Sequence, residues 1–176
     1  MRKENGNIYL IGFMGTGKSS VAKYLRSNYA MDIAEMDEII EKRENKRISD
    51  IFAEHGEEYF RELETALLLE LQSKENLVVS CGGGAALRQE NVNAMKKGGR
   101  IVWLTARPET VYERVKENEE RPLLKNDNSA NHLAEMMERR RPRYESAADL
   151  VVATDEKSIA QICEELMAQL AELDGK

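Results

Sequence analysis

"NIYLIGFMGTGKSS", residues 7–20, runs from a short apolar stretch through a glycine-rich turn to a lysine and two serines. The apolar part is continuous rather than alternating, which suits a strand buried on both faces of a parallel sheet. Gly12 to Ser19 satisfies G-x-x-x-x-G-K-[ST], and it stands after a strand and at the opening of a helix, as its chemistry requires. Glycines let the backbone turn tightly, so that successive N–H groups point inward at phosphate oxygens. The helix that starts here adds its positive end. Gly15, Thr16, Gly17, Lys18, Ser19 and Ser20 form the expected ATP-binding stretch. Lys18 would reach the β- and γ-phosphates and the Ser19 hydroxyl would ligate Mg²⁺.

Outward from this stretch, similar apolar runs recur at 30–36, 77–81, 100–105 and 149–154. Helical patterns lie between them, at about 18–28, 57–73, 86–97, 108–117, 130–141 and 156–172; in the second, Phe60, Leu63, Leu67 and Leu71 form one stripe. Alternation of strand and helix predicts an α/β architecture with a parallel sheet flanked by helices. Residues 35–62 and 116–131 read as excursions over the strand ends, the second a polar candidate lid. At 176 residues, with 41% hydrophobic and 33% charged residues, a single domain over 1–176 is expected. No apolar run is long enough to span a bilayer. The basic N-terminus precedes an apolar stretch, but glycines interrupt it and it continues into the phosphate motif, so export is not expected. Cys81 and Cys163 have no metal-ligand spacing and suit a reducing cytoplasm.

The kind of triphosphate chemistry is narrowed by what is missing. No N-K-x-D base-reading motif of a GTPase is present, and the strand "LVVS" ends in "CGGG" rather than in the acid of a motor ATPase. Gly82 to Gly84 follow that strand at its C-terminal end, where ligands bind in open α/β sheets. Three residues without Cβ let a substrate lie on bare backbone. Glu35 and Asp37 stand two apart at the end of the second apolar run, and strand alternation would aim both to one side. One would sit near the Mg²⁺ shell and the other would take a substrate hydroxyl; a helix cap accounts for Asp37 equally well. Arg61 lies in an amphipathic helix, where a salt bridge with Glu57 or Glu58 is the simple reading. Arg121 lies in the candidate lid, where an arginine could close over phosphates. His55 and His132 are isolated, and Trp103 reads as core or sheet-edge packing.

"RRRPRYE", 139–145, concentrates four arginines in a chain of net charge −6. A nucleic-acid patch, a helix end and an anion site are all open on these residues alone. The acidic balance and the absence of interleaved aromatics weigh against nucleic acid.

Together, "GFMGTGKSS", "EMDEIIE", "FRELE", "CGGGAAL", "RPLL" and "RRPRYESAAD" resemble, in order and spacing over nearly the whole chain, the shikimate kinase family. The resemblance implies a three-layer P-loop kinase fold with a five-stranded parallel sheet, a substrate-binding insertion at about 35–62 and a lid at about 116–131. It implies transfer of the ATP γ-phosphoryl group to the 3-hydroxyl of shikimate, with Mg²⁺, in aromatic amino-acid biosynthesis. By motif position Asp37 matches the aspartate that binds substrate hydroxyls and is the candidate base. Arg61 and Arg140 match the arginines that grip the carboxylate, and Gly83 a backbone contact. Arg121 matches the lid arginine at the phosphates, Arg114 the arginine near adenine, and Lys157 lies in the final base-contacting loop. Lys18, Asp37 and Arg121 are thus the expected catalytic residues, and Ser19 and Glu35 the metal residues. Arg139, Arg141 and Arg143 are expected at a helix C-terminal end, supplying positive field. A monomer is expected, acting on ATP and shikimate, without nucleic acid or membrane partners. Glu35 departs from the family's usual pattern of two aspartates separated by one residue. The competing readings are a kinase for another hydroxy acid such as gluconate, and a nucleotide-dependent regulator on the same scaffold.

Overall fold

The computed structural model describes residues 6–116 and 129–175. Arg121 and most of the expected lid lie outside the described residues. Five strands, β1 (Asn7–Ile11), β2 (Asp32–Glu35), β3 (Leu77–Ser80), β4 (Gly99–Thr105) and β5 (Leu150–Ala153), form one parallel sheet of order β2-β3-β1-β4-β5. All five match apolar runs in the sequence. Strand alternation divides their side chains between two cores. Ile8 and Leu10 of β1 face α1 (Lys18–Tyr29) and α8 (Ile159–Asp174), while Tyr9 and Ile11 face α4 (Glu57–Leu71) and α5 (Gln89–Gly98). Helices therefore cover both faces of the sheet, as a parallel sheet requires.

The helices also differ from the sequence expectation. The excursion at 35–62 contains α2 (Met36–Glu44), α3 (Ile48–His55) and the start of α4. The helix expected at 130–141 is α7 (Ser129–Ala147), and it continues through Pro142. Proline ends a helix when its lost N–H and its ring cannot be accommodated. Here Pro142 and Glu138, whose carbonyl loses its helical partner, are both exposed, so that carbonyl is on the solvent side. Arg139, Arg141 and Arg143 consequently lie within α7 and not at its C-terminal end. The remaining helix, α6 (Pro108–Val115), joins α7 over Phe13, with Val111, Val115 and Leu133 buried between them.

The strand order positions the functional stretches. Leu10 is in register with both Ser80 and Val102, and Glu35 with Ser80. The N–H of Cys81 donates to the carbonyl of Leu10 at 3.1 Å. The phosphate loop after β1, the triple glycine after β3 and the acidic turn after β2 therefore leave the same edge of the sheet side by side.

Candidate active site

The phosphate loop is held open by its backbone. Gly12 has φ +144° and a Cβ there would lie 2.5 Å from the Leu104 carbonyl oxygen; Gly15 has φ +79° and a Cβ would lie 2.6 Å from Val115 Cγ1. Both positions exclude larger residues by conformation and by space. The buried Thr16 hydroxyl donates to the Phe13 carbonyl at 2.8 Å and tightens the turn. Lys18 Nζ donates to the carbonyls of Gly12 (2.6 Å) and Phe13 (3.0 Å), so its charge is held against the loop itself. Ser19 and Ser20 are exposed in the first turn of α1, whose unpaired N–H groups favour an anion.

Glu35 and Asp37 are both brought to this edge, but not by strand alternation. The chain turns helical at Met36, so Glu35 takes the N-cap position of α2 and Asp37 its first turn, and the two carboxylates diverge. Ser19 Oγ donates to Glu35 Oε2 at 3.0 Å, while Glu35 Oε1 is buried without a hydrogen-bond partner. Asp37 instead approaches the glycines.

Each of the three glycines gives way to a different neighbour. None has a positive φ, so the reason is space rather than conformation. A Cβ on Gly82 would lie 2.8 Å from Glu64 Oε2 and 3.0 Å from Asp37 Oδ1. On Gly83 it would lie 3.3 Å from Arg140 Nη1, and on Gly84 2.5 Å from both terminal nitrogens of Arg61. Two carboxylates and two guanidinium groups thus converge on one strip of bare backbone beside the phosphate loop. Arg61 is paired with Glu64 at 2.6 Å and with Glu57 at 3.3 Å, so the expected salt bridge with Glu57 is present alongside the placement at the glycines. Glu64 is fully buried and its Oε2 has no partner. Burial pushes its carboxyl above the usual glutamate value, against the opposing pull of Arg61.

Glu64 and Tyr144 touch this site although neither is assigned a role from the sequence. Both stand in stretches already singled out, at i+3 from Arg61 and i+4 from Arg140, the spacings at which helical side chains meet. Arg140 is half-buried with its guanidinium 5.3 Å from the Phe13 ring, whereas Arg139, Arg141 and Arg143 are exposed. Arg141 pairs with Glu138 and Glu145, which offsets its positive charge.

At the other end of the loop, Arg114 donates to the Gly15 carbonyl (3.0 Å) and to Thr154 (3.2 Å), tying the phosphate loop to the end of β5. Lys157 donates to the Ala153 carbonyl and pairs with Glu165 at 2.7 Å, so its ammonium faces α8. Trp103 packs on Tyr144 (ring centroids 5.8 Å apart), in keeping with the packing reading.

A triphosphate loop opening onto a strip of backbone ringed by acids and arginines gives a nucleotide and a small acceptor adjoining places, and the chain is a P-loop kinase. The family model for shikimate kinase matches residues 14–171. A shikimate kinase of Persephonella marina is 43% identical over 93% of this chain and 98% of its own length. Among solved structures, shikimate kinase from Acinetobacter baumannii in complex with shikimate superposes with a TM-score of 0.90 at 30% identity, covering 96% of this chain and 94% of that one. Shikimate kinase from Aquifex aeolicus gives 0.79 at 39% identity, covering 93% and 95%. The chain belongs to the shikimate kinase family; it is an ATP-using enzyme of the shikimate pathway with that family's activity.

Proposed function

We propose that the strip at Gly82–Gly84 is the acceptor site, and that shikimate lies on it with its carboxylate between Arg61 and Arg140 and its 3-hydroxyl at Asp37. The observation that carries this is the convergence of Asp37, Arg140 and Arg61 on three consecutive glycines. Planar guanidinium groups pair with carboxylates through two hydrogen bonds, which suits an anionic acceptor. The hydroxyl oxygen attacks the γ-phosphorus in line, the bond to the β-phosphate oxygen breaks, and ADP leaves. The hydroxyl proton passes to Asp37 or to solvent. Because such transition states are loose, Asp37 orients the hydroxyl more than it deprotonates it, and positioning supplies most of the rate. Lys18 neutralises γ-phosphate charge after exchanging its loop carbonyls for phosphate oxygens. Gly15, Thr16, Gly17, Ser19 and Ser20 supply the rest of the cradle.

Mg²⁺ fits the hard oxygen donors of Ser19 and Glu35, and the partnerless Glu35 Oε1 supports such an occupant. Among the described residues there is no cluster of three acidic, histidine or cysteine ligands, and Mg²⁺ needs none, since it is held by one or two carboxylates with substrate phosphates. Bound there, it supplies charge neutralisation at the phosphates. Glutamate for aspartate at position 35 lengthens the reach by one methylene. Arg114, bridging Gly15 and Thr154, and the loop at Lys157 border the base. Arg121, outside the described residues, keeps the phosphate role that the resemblance implies.

We take residues 1–176 as one domain and a monomer, supported by the single sheet and by large exposed apolar residues dispersed over α1, α4, β5 and α8. A cytoplasmic location is supported by two free, buried cysteines. No helix among the described residues is long and apolar enough to cross a membrane. The test is Mg²⁺- and ATP-dependent ADP release with shikimate, gluconate, quinate or no acceptor. Release with shikimate alone is expected. Equal release with gluconate would overturn the carboxylate and hydroxyl placement.

A further inference from the structure

Tyr144 is 2% exposed, yet its hydroxyl donates to the Gly83 carbonyl at 2.6 Å, across 61 residues of sequence. The Arg140 guanidinium stands at the same glycine, with Nη1 3.3 Å from where a Gly83 Cβ would lie, one helical turn before Tyr144. A hydroxyl has one donor and two acceptor sites, so donating to Gly83 leaves its oxygen free to accept from that guanidinium. The ring packs on Trp103, with ring centroids 5.8 Å apart.

Both groups gain from an outside restraint. The Gly83–Gly84 peptide has no Cβ on either side, so little but its carbonyl bond fixes the plane. Arg140 has a long, rotamer-rich side chain, and immobilising it on substrate binding would cost affinity unless it is held beforehand. We propose that Tyr144 is a positioning residue for the acceptor: one buried hydroxyl locks the Gly83 peptide plane and the Arg140 fork in register with each other.

The Phe13 ring lies by the Arg140 guanidinium as well, 5.3 Å away, so the phosphate loop borders the fork. Burial pushes the phenol above its ordinary value, with Arg140 opposing, so the hydroxyl keeps its proton and its donor role at neutral pH.

This inference rests on the reading of Gly83 and Arg140 as acceptor contacts, and the test separates the two. Tyr144→Phe keeps the ring and removes the hydroxyl. A hydrogen bond to a charged group is worth about 1.5–3 kcal/mol, so the shikimate KM should rise by about ten-fold or more, with the ATP KM within about two-fold of wild type. A lowered melting temperature with an unchanged shikimate KM would mean a packing role only and would overturn the proposal. Arg140→Ala, alone and combined with Tyr144→Phe, completes a double-mutant cycle. Loss of most of the Tyr144→Phe effect in the Arg140→Ala background is expected; full additivity would overturn the coupling. If Arg140→Ala alone leaves the shikimate KM unmoved, the carboxylate assignment fails first and the positioning role with it. Should Tyr144→Phe fail to fold, Tyr144→Met, which also lacks the hydroxyl, takes its place in the cycle, and the same additivity criterion decides.

Discussion

Gly84 is the tightest of the three floor glycines: an added methyl group would meet both terminal nitrogens of Arg61 at 2.5 Å. Gly84→Ala should displace that guanidinium and raise the shikimate KM by about ten-fold, the factor that loss of about 1.4 kcal/mol of binding gives. The ATP KM should hold, and steady-state kinetics with each substrate varied in turn decides it. Glu64, beneath Arg61, makes a prediction in pH. Its folded pKa lies above the ordinary value of 4.5, chiefly because of burial. Any stability it contributes relative to a group that cannot ionise is therefore fully present below about 4.5 and is lost as pH rises through the folded value. The melting temperature of wild type minus that of Glu64→Gln should accordingly fall from pH 4 toward pH 7. A rising difference would show that the Arg61 ion pair outweighs desolvation. At this scale the sequence was half legible. Arg61 and Arg140 stood out by residue type, but Glu64 looked like any other acid in an acidic helix until the fold buried it.

Among the elements, α8 carries the clearest local signal. Ser158 accepts from the N–H of Gln161 at 3.1 Å and the Gln161 side chain accepts from the N–H of Ser158 at 2.8 Å, a reciprocal cap. Ser158→Ala should cost about 1 kcal/mol. In a chain of this size that lowers the melting temperature by about 2–4 °C, with kcat unchanged. An unaltered melting temperature would mean that tertiary packing of Ile162, Cys163 and Leu166 sets the helix start without the cap. In α7 the local signal misled. Pro142 reads as a stop, and the arginines before it read as a helix end. The helix instead continues, because Tyr144 and Ala147 are buried against the sheet side of the molecule and the proline faces solvent. Positions 133, 137, 140, 144 and 147 lie along one face, and Arg140 interrupts an otherwise apolar stripe there. That periodicity separates Arg140 from its three exposed neighbours, and it becomes readable once the helix is known to pass Pro142.

For the whole molecule, ligand binding should appear as stability. A ligand that binds only the folded chain at about 100 times its Kd adds about 2.7 kcal/mol. Shikimate at that excess should therefore raise the melting temperature by several degrees, and Arg140→Ala should abolish the shift at the same concentration. A shift that survives the substitution would place the carboxylate elsewhere. The sequence by itself determined the strands, the phosphate loop and the family, because buried parallel strands leave continuous apolar runs and the motifs are contiguous in the chain. Only the tertiary structure decided how Asp37, Glu64, Arg61, Tyr144 and Arg140 divide the three glycines among them. Those contacts join α2, α4 and α7, far apart in the chain, to the end of β3, and the sheet order β2-β3-β1 is what sets that end beside the phosphate loop.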